Sequence, residues 1–280
     1  MARTPLAQTS VRDALDSALI ALTAAGCDTP RLDAELLLAD AMGVDRAVIV
    51  SDPGRGLTPE QARCFQGYAM RRAQREPVAY ILGTKGFRTI DLLVDGRVLI
   101  PRPETEHLVE AALGLPRGAR VADVGTGSGA VALALKAERP DLDVVATDAS
   151  PEALAVARAN AQRLALEVEL LEGDLLEPVG GPLDAVLSNP PYVADGDRAA
   201  LAPDITRHEP AMALYAGADG LSLIRRLAPQ AAAAGARLLA LEVGFGQAGA
   251  VAEIVAAAGF ADTQAVADLA GIERVVVGRR

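Results

Sequence analysis

The spacing of apolar residues along the chain changes twice. From about Val11 to Gly83 they recur at helical intervals: Leu15, Leu19 and Leu22, with Ala18 and Ala25 beside them, predict one helix that Gly26 ends. Thr29-Pro30 reads as an N-cap followed by proline at the first helical position, opening a helix with Leu32, Leu36, Leu37 and Met42 that stops at Gly43. Thr58-Pro59-Glu60-Gln61 has the form of a capping box and predicts a helix through Tyr68, Arg71, Arg72 and Arg75. Residues 1–83 are therefore expected to form a helical bundle domain. Between Lys85 and Ile100 the pattern becomes strand-like. Ile90–Val94 is expected to turn at Asp95-Gly96 and return as Arg97–Ile100, making residues 84–106 a β-hairpin linker. The linker ends in Pro101-Arg102-Pro103-Glu104-Thr105-Glu106, an extended segment leading into a helix around Leu108–Leu113.

From Arg120 onward short apolar runs alternate with helical stretches. Arg120–Val124, Asp143–Thr147, Val168–Leu171, Leu183–Leu187 and Arg237–Val243 read as strands, and stretches near Thr263–Val266 and Glu273–Val277 bring the total to seven. Such alternation predicts an α/β fold over residues 107–280, a doubly wound, mostly parallel sheet with helices on both faces. No internal repeat is present.

Composition narrows the class. About half the residues are hydrophobic, mostly Ala, Val and Leu, with few aromatics and no Trp. The formal net charge of −10, concentrated beyond the first 80 residues, argues against a surface that holds phosphate backbones, so no stable nucleic-acid binding is expected. Cys27 and Cys64 have no paired spacing, and with only His107 and His208 as imidazoles no metal site is expected. The opening residues lack a leader pattern, and no apolar run reaches the roughly 18 residues of a membrane span. A cytoplasmic protein with no membrane partner is expected.

Two stretches carry candidate chemistry. Gly125-Thr126-Gly127-Ser128-Gly129 follows the first strand of the sheet; glycines at alternate positions let the backbone turn sharply and approach a ligand beside helix N–H groups. Asp148 ends the second strand, where a carboxylate can accept both hydroxyls of a ribose, and Asp174, in Gly173-Asp174-Leu175, follows the third, where it could accept an adenine amino group. Ser188-Asn189-Pro190-Pro191-Tyr192 follows the fourth strand. Its prolines end any ladder and leave an Asn amide and backbone carbonyls without partners, next to an aromatic ring. Ligands in doubly wound sheets sit where the winding reverses, so the first and fourth strands should be neighbours and the two stretches should face one crevice. The Arg71, Arg72 and Arg75 cluster reads either as a solvated helix face or as a docking patch for an acidic partner. Glu104 and Glu106 read as helix N-terminal acids or as the rim of a site.

The glycine loop, Asp148 and Asn189-Pro190-Pro191-Tyr192 resemble class I S-adenosylmethionine-dependent methyltransferases. The segment Pro101–Glu106, Glu209-Pro210 and Glu273-Arg274-Val275, with the order of helical domain, hairpin and catalytic domain, resemble the release factor glutamine methyltransferases of the HemK/PrmC type. The resemblance covers nearly the whole chain. It implies a seven-stranded methyltransferase sheet and N5-methylation of the glutamine in the Gly-Gly-Gln motif of peptide-chain release factors, with S-adenosylhomocysteine as product. Gly125, Thr126, Gly127, Ser128, Gly129, Asp148, Asp174, Leu175 and Asn189 would hold the cofactor. Asn189, Pro190, Pro191 and Tyr192 would hold the amide, with Asn189, Pro190 and Tyr192 catalytic. Leu175 stands where some relatives carry an aromatic that packs on adenine. The helical domain would position the substrate, through Arg71, Arg72 and Arg75. Competing readings are glutamine methylation of another protein such as a ribosomal protein, and adenine-N6 methylation of nucleic acid, which the acidic charge disfavours. A nicotinamide-dependent dehydrogenase would leave the Asn-Pro-Pro-Tyr loop unexplained.

Overall fold

A computed structural model describes residues 9–280; the leader-free reading of the opening residues falls largely outside them. The chain divides into two compact units, one running to Gly83 and including Pro203–His208, the other comprising Thr84–Ala202 and Glu209–Arg280.

The first unit contains α1 (Val11–Ala24), α2 (Pro30–Met42), α3 (Arg46–Ser51), α4 (Pro59–Ala73) and α5 (Val78–Leu82). Thr58 caps α4 as its sequence requires, its hydroxyl accepting the Gln61 N–H at 3.2 Å while the Gln61 side chain accepts the Thr58 N–H at 3.0 Å. Thr29 holds the N-cap position of α2 with proline following, as expected, but its side chain makes no capping bond. Its hydroxyl is diverted to Asp33 Oδ1 at 2.8 Å. Leu22, Leu37, Leu38, Ile49 and Phe65 form the core of this unit.

Neither expectation for the arginine cluster holds for Arg72 and Arg75, which are 5% and 9% exposed. Arg72 Nε donates to Asp33 at 2.7 Å and its Nη2 to Asp204 at 2.9 Å. Arg75 donates to Asp204 and to the carbonyls of Ala25 and Gly26. Arg71 is held by Glu76. A buried guanidinium without a counter-charge is strongly destabilising, so the cluster is an internal ion network. Its partner Asp204 lies on a later helix, Pro203–His208, that belongs to the same unit.

The second unit opens with a hairpin one strand earlier than expected. β1 (Thr84–Phe87) pairs antiparallel with β2 (Ile90–Leu93), turning at Arg88, whose φ is +49°. Asp95-Gly96 does turn, but Arg97–Ile100 forms no returning strand. The Leu93 backbone is instead taken by the buried Asn160 amide, which accepts its N–H at 2.7 Å and donates to its carbonyl at 3.0 Å.

There follow α6 (Glu106–Leu113), β3 (Arg120–Val124), α7 (Ala130–Glu138), β4 (Asp143–Asp148), α8 (Pro151–Leu164), β5 (Glu169–Glu172), β6 (Ala185–Ser188), α9 (Pro203–His208, in the first unit), α10 (Ser222–Ala233), β7 (Leu238–Glu242), α11 (Ala248–Ala257), β8 (Asp262–Ala267) and β9 (Glu273–Arg279). One seven-stranded sheet results, in the order β5-β4-β3-β6-β7-β9-β8. The first five are mutually parallel, and β9 runs antiparallel to both β7 and β8. Alternate residues of the central strands, Ala122, Val124, Val186, Leu239 and Leu241, pack with Ile224, Leu227 and Ala231 of α10 and Val251 and Val255 of α11. Burial on both faces explains why these strands are continuously apolar. The winding reverses between β3 and β6, whose last paired residues are Val124 and Ser188. Among the described residues no helix is long and apolar enough to cross a membrane.

Candidate active site

The turn from β3 into α7 is built on backbone that only glycine adopts easily: Gly125, Gly127 and Gly129 have φ of +73°, +57° and +84°. The N–H groups of Gly125 and Thr126 both reach the Thr147 carbonyl at 2.9 Å, which ties the turn to β4. Beneath it, buried Asp123 accepts the Thr126 hydroxyl at 2.6 Å and the Ala132 N–H at 3.1 Å. Burial pushes its carboxyl up to about 6 against the pull of those hydrogen bonds. The glycines differ in use. A Cβ on Gly125 or Gly127 would meet nothing within 4 Å, whereas one on Gly129 would lie 2.8 Å from Leu133 Cδ1. The first two expose bare backbone, while Gly129 lets the helix pack.

Asp148, at the end of β4, accepts the Gly127 N–H at 2.8 Å on Oδ2 and the Ser150 N–H at 2.9 Å on Oδ1. Burial raises its pKa, opposed by these donors. Past β5, Asp174 is half-exposed with one oxygen paired to Arg226, and Leu175 sits at φ +53° with its carbonyl accepting the Thr147 hydroxyl at 2.8 Å.

Across the switch point, Ser188 donates its hydroxyl to the Val124 carbonyl at 2.7 Å. Asn189 Nδ2 donates to Thr105 Oγ1 at 3.1 Å, and Thr105 in turn donates to Glu242 Oε2 at 2.6 Å. The Tyr192 hydroxyl lies 3.4 Å from Glu242 Oε1, and burial raises its pKa, aided by that carboxylate. The Tyr192 carbonyl accepts from Gln247 Nε2 at 2.9 Å.

A single cleft of about 270 Å³ gathers these groups: Gly125, Thr126, Gly127, Ser128, Asp148, Asp174, Leu175, Asn189, Pro190 and Pro191 all line it. Gly129 and Tyr192 do not. The stretch expected to return as a strand serves as wall instead, through Arg97, Val98 and Leu99. Neither histidine lines the cleft; His107 stands 3.1 Å from Glu110, and His208 is on α9. Among the described residues no cluster of three or more His, Cys, Asp or Glu side chains is placed to hold a metal ion.

Thr105, Asp123 and Glu242 were given no role from the sequence. Thr105 lies inside Pro101–Glu106, but the acids on either side drew the reading. It is Thr105 that lines the cleft, whereas Glu106 accepts the Arg88 N–H at 3.3 Å. Asp123 and Glu242 sit in otherwise apolar strands, and an acid in such a run is itself a signal, because an isolated buried carboxylate is costly.

A glycine turn and a strand-end carboxylate facing an Asn-Pro-Pro loop across the switch point of this seven-stranded sheet define a methyltransferase. Comparison with known proteins agrees: a family profile described as "Methyltransferase small domain" matches residues 104–214, and one described as "PrmC N-terminal domain" matches residues 13–83. A methyltransferase structure from Pyrococcus furiosus shares the fold, with a TM-score of 0.54 at 17% identity over 76% of this chain and 98% of that one. A release factor glutamine methyltransferase of Koribacter versatilis is 43% identical over 97% of this chain and 99% of its own. Another, from Geobacter sulfurreducens, is 41% identical over 96% of both. The chain belongs to the release factor glutamine methyltransferase family.

Proposed function

We propose that this chain methylates the side-chain amide of the glutamine in the Gly-Gly-Gln motif of peptide-chain release factors, using S-adenosylmethionine. The observation that carries the reading is the juxtaposition of the glycine turn and Asn189, each one residue beyond the paired Val124 and Ser188. Family membership supplies the acceptor.

The cleft fits the donor molecule. Gly125 and Gly127 leave open space for close approach, and each oxygen of Asp148 holds one N–H and keeps a lone pair for a ribose hydroxyl. Asp174 and Leu175 flank the base end. When bound, S-adenosylmethionine supplies an activated methyl group on a sulfonium that leaves as the neutral thioether of S-adenosylhomocysteine.

The chain's own residues act on the amide. A carboxamide nitrogen is a weak nucleophile because its lone pair is delocalised into the carbonyl. Thr105 occupies Asn189 Nδ2, so the free Oδ1 and the Pro190 carbonyl accept the two amide N–H bonds. They hold the nitrogen in line and keep it electron-rich. Pro190 and Pro191, without N–H groups, offer no competing donor. Tyr192 is not among the residues lining the cleft, so its part is to anchor the loop that carries Pro190, through its hydroxyl beside Glu242 and its carbonyl held by Gln247. Positioning and preorganised acceptors provide the acceleration, and the proton passes to water. The partner is a protein; the net charge of −10 supports that over nucleic acid. We place the reaction in the cytoplasm, with the translation machinery.

The test is incubation of the protein with S-adenosylmethionine and a release factor, followed by mass-spectrometric mapping. Methylation at the glutamine is expected; its absence sinks the reading, and methylated adenine in added nucleic acid would move the acceptor to a nucleobase.

A further inference from the structure

Glu242 is a carboxylate buried in a strand, with no directly paired cation among the described residues. It is 2% exposed at the end of β7, where every other residue of the strand is apolar. Its hydrogen bonds run to Thr105, from the segment before α6, and to Tyr192, from the loop after β6. It therefore joins the two elements that meet at Asn189.

The direction of the chain of bonds follows from the proton count. An ionised carboxylate only accepts, so Thr105 gives its single hydroxyl proton to Glu242 Oε2. Thr105 Oγ1 then has only lone pairs to offer Asn189, so the Asn189 NH2 must face Thr105 and its carbonyl oxygen must face away from it. We propose that Glu242, acting through Thr105, is a positioning residue that fixes which way round the Asn189 amide is presented to the substrate. With Glu242 protonated, Thr105 can receive a proton from Glu242 and spend its own on Asn189 Oδ1. The amide is then free to turn and present N–H groups to the N–H groups of the substrate.

Burial, with the charge of Glu104, pushes the Glu242 carboxyl up to about 7, against the pull of Thr105, Tyr192 and Arg274. Arg102 also acts on Tyr192 and is itself paired to Glu209. The switch thus falls near neutrality, and the amide is correctly set above it.

The inference rests on the amide-acceptor role of Asn189, and the test separates the two. Unaltered enzyme, Thr105→Ser, Thr105→Val and Glu242→Gln are assayed for release-factor methylation across pH. Thr105→Ser should keep kcat within about threefold. Thr105→Val, which keeps the shape and loses the hydroxyl, should lower kcat roughly 10- to 100-fold with a much smaller change in S-adenosylmethionine affinity, the scale typical of a group that orients a directly acting one. A role in packing alone predicts the reverse order, and that order would overturn the proposal. The kcat of the unaltered enzyme should rise through an apparent pKa near 7, and this limb should vanish in Glu242→Gln; its persistence also refutes the inference. A readout without substrate is the 15N–1H resonance of the Asn189 side chain. It should titrate with the same midpoint in the unaltered protein and not in Glu242→Gln. Should the enzyme prove inactive on release factors, that titration still decides the positioning claim.

Discussion

Gly220 stands well away from the sequence motifs, yet its replacement by alanine should disable the acceptor loop. Its φ is +74°, and a Cβ there would lie 2.1 Å from the Tyr192 carbonyl oxygen, 2.8 Å from the carbonyl carbon and 2.9 Å from Gln247 Nε2. Ordinary contact begins near 3.4 Å, so the Tyr192 main chain must withdraw by about 1 Å, and no side-chain rotation relieves a clash with backbone. The left-handed conformation adds about 1–2 kcal/mol for any L-residue. Displacing a substrate-holding group by about 1 Å costs on the order of 100-fold in turnover. The control is Gly217→Ala. Gly217 has φ +80° and bears the same conformational strain, but its nearest neighbour would be Ser222 Oγ at 3.5 Å, an ordinary contact. Both variants should lose stability in thermal unfolding, Gly220→Ala more because the clash adds to the shared strain, and both should bind S-adenosylmethionine by calorimetry with near-normal affinity. Only Gly220→Ala should lose kcat on a release factor. Turnover of Gly220→Ala within about threefold of Gly217→Ala would show that the position of Tyr192 does not limit the reaction.

Asn189→Ala should abolish turnover while weakening S-adenosylmethionine binding far less, measured by single-turnover methylation and calorimetry; near-normal turnover would remove Asn189 from the acceptor role. Asp123→Asn tests the buried acid under the glycine turn. Because burial lifts its folded-state pKa from 3.8 to about 6, its contribution to stability is present below pH 4 and lost as pH rises through 6, a swing of about 3 kcal/mol. Asparagine can still accept both bonds on its oxygen, so the stability of the unaltered protein relative to the variant should fall across that window in denaturant titrations; a constant difference contradicts the shift. Asp204→Ala removes the partner shared by Arg72 and Arg75 and should destabilise the helical unit by about 3 kcal/mol, read in hydrogen exchange of α2 and α4; unchanged protection there would mean the network carries no stability.

The strands were legible because a parallel sheet buried on both faces leaves unbroken apolar runs such as Ala185–Leu187 and Leu238–Leu241. The crevice followed, since residues at strand ends meet wherever neighbouring strands reverse their winding, and Asn189 and Gly125 do so. The hairpin was misplaced because Asp-Gly is a strong turn signal on its own, while the fate of the next strand depended on Asn160, far along the chain. The arginines misled for a similar reason. Helical spacing alone places Arg72 and Arg75 near a polar face, and only the position of Asp204 shows that the face is covered. Thr105 and Glu242 were hidden because their meaning lies in a chain of hydrogen bonds between three segments, and periodicity does not register such a chain.

The pairing of Val124 with Ser188 has an evolutionary consequence. The donor turn and the acceptor loop each leave the sheet one residue later, so their separation starts from the spacing of adjacent hydrogen-bonded strands, about 4.8 Å. That distance belongs to the backbone and is common to any sequence able to form the pair. Mutation can therefore rewrite the side chains after Ser188, and with them what that loop recognises, while the place at which the two loops leave the sheet side by side is inherited unchanged.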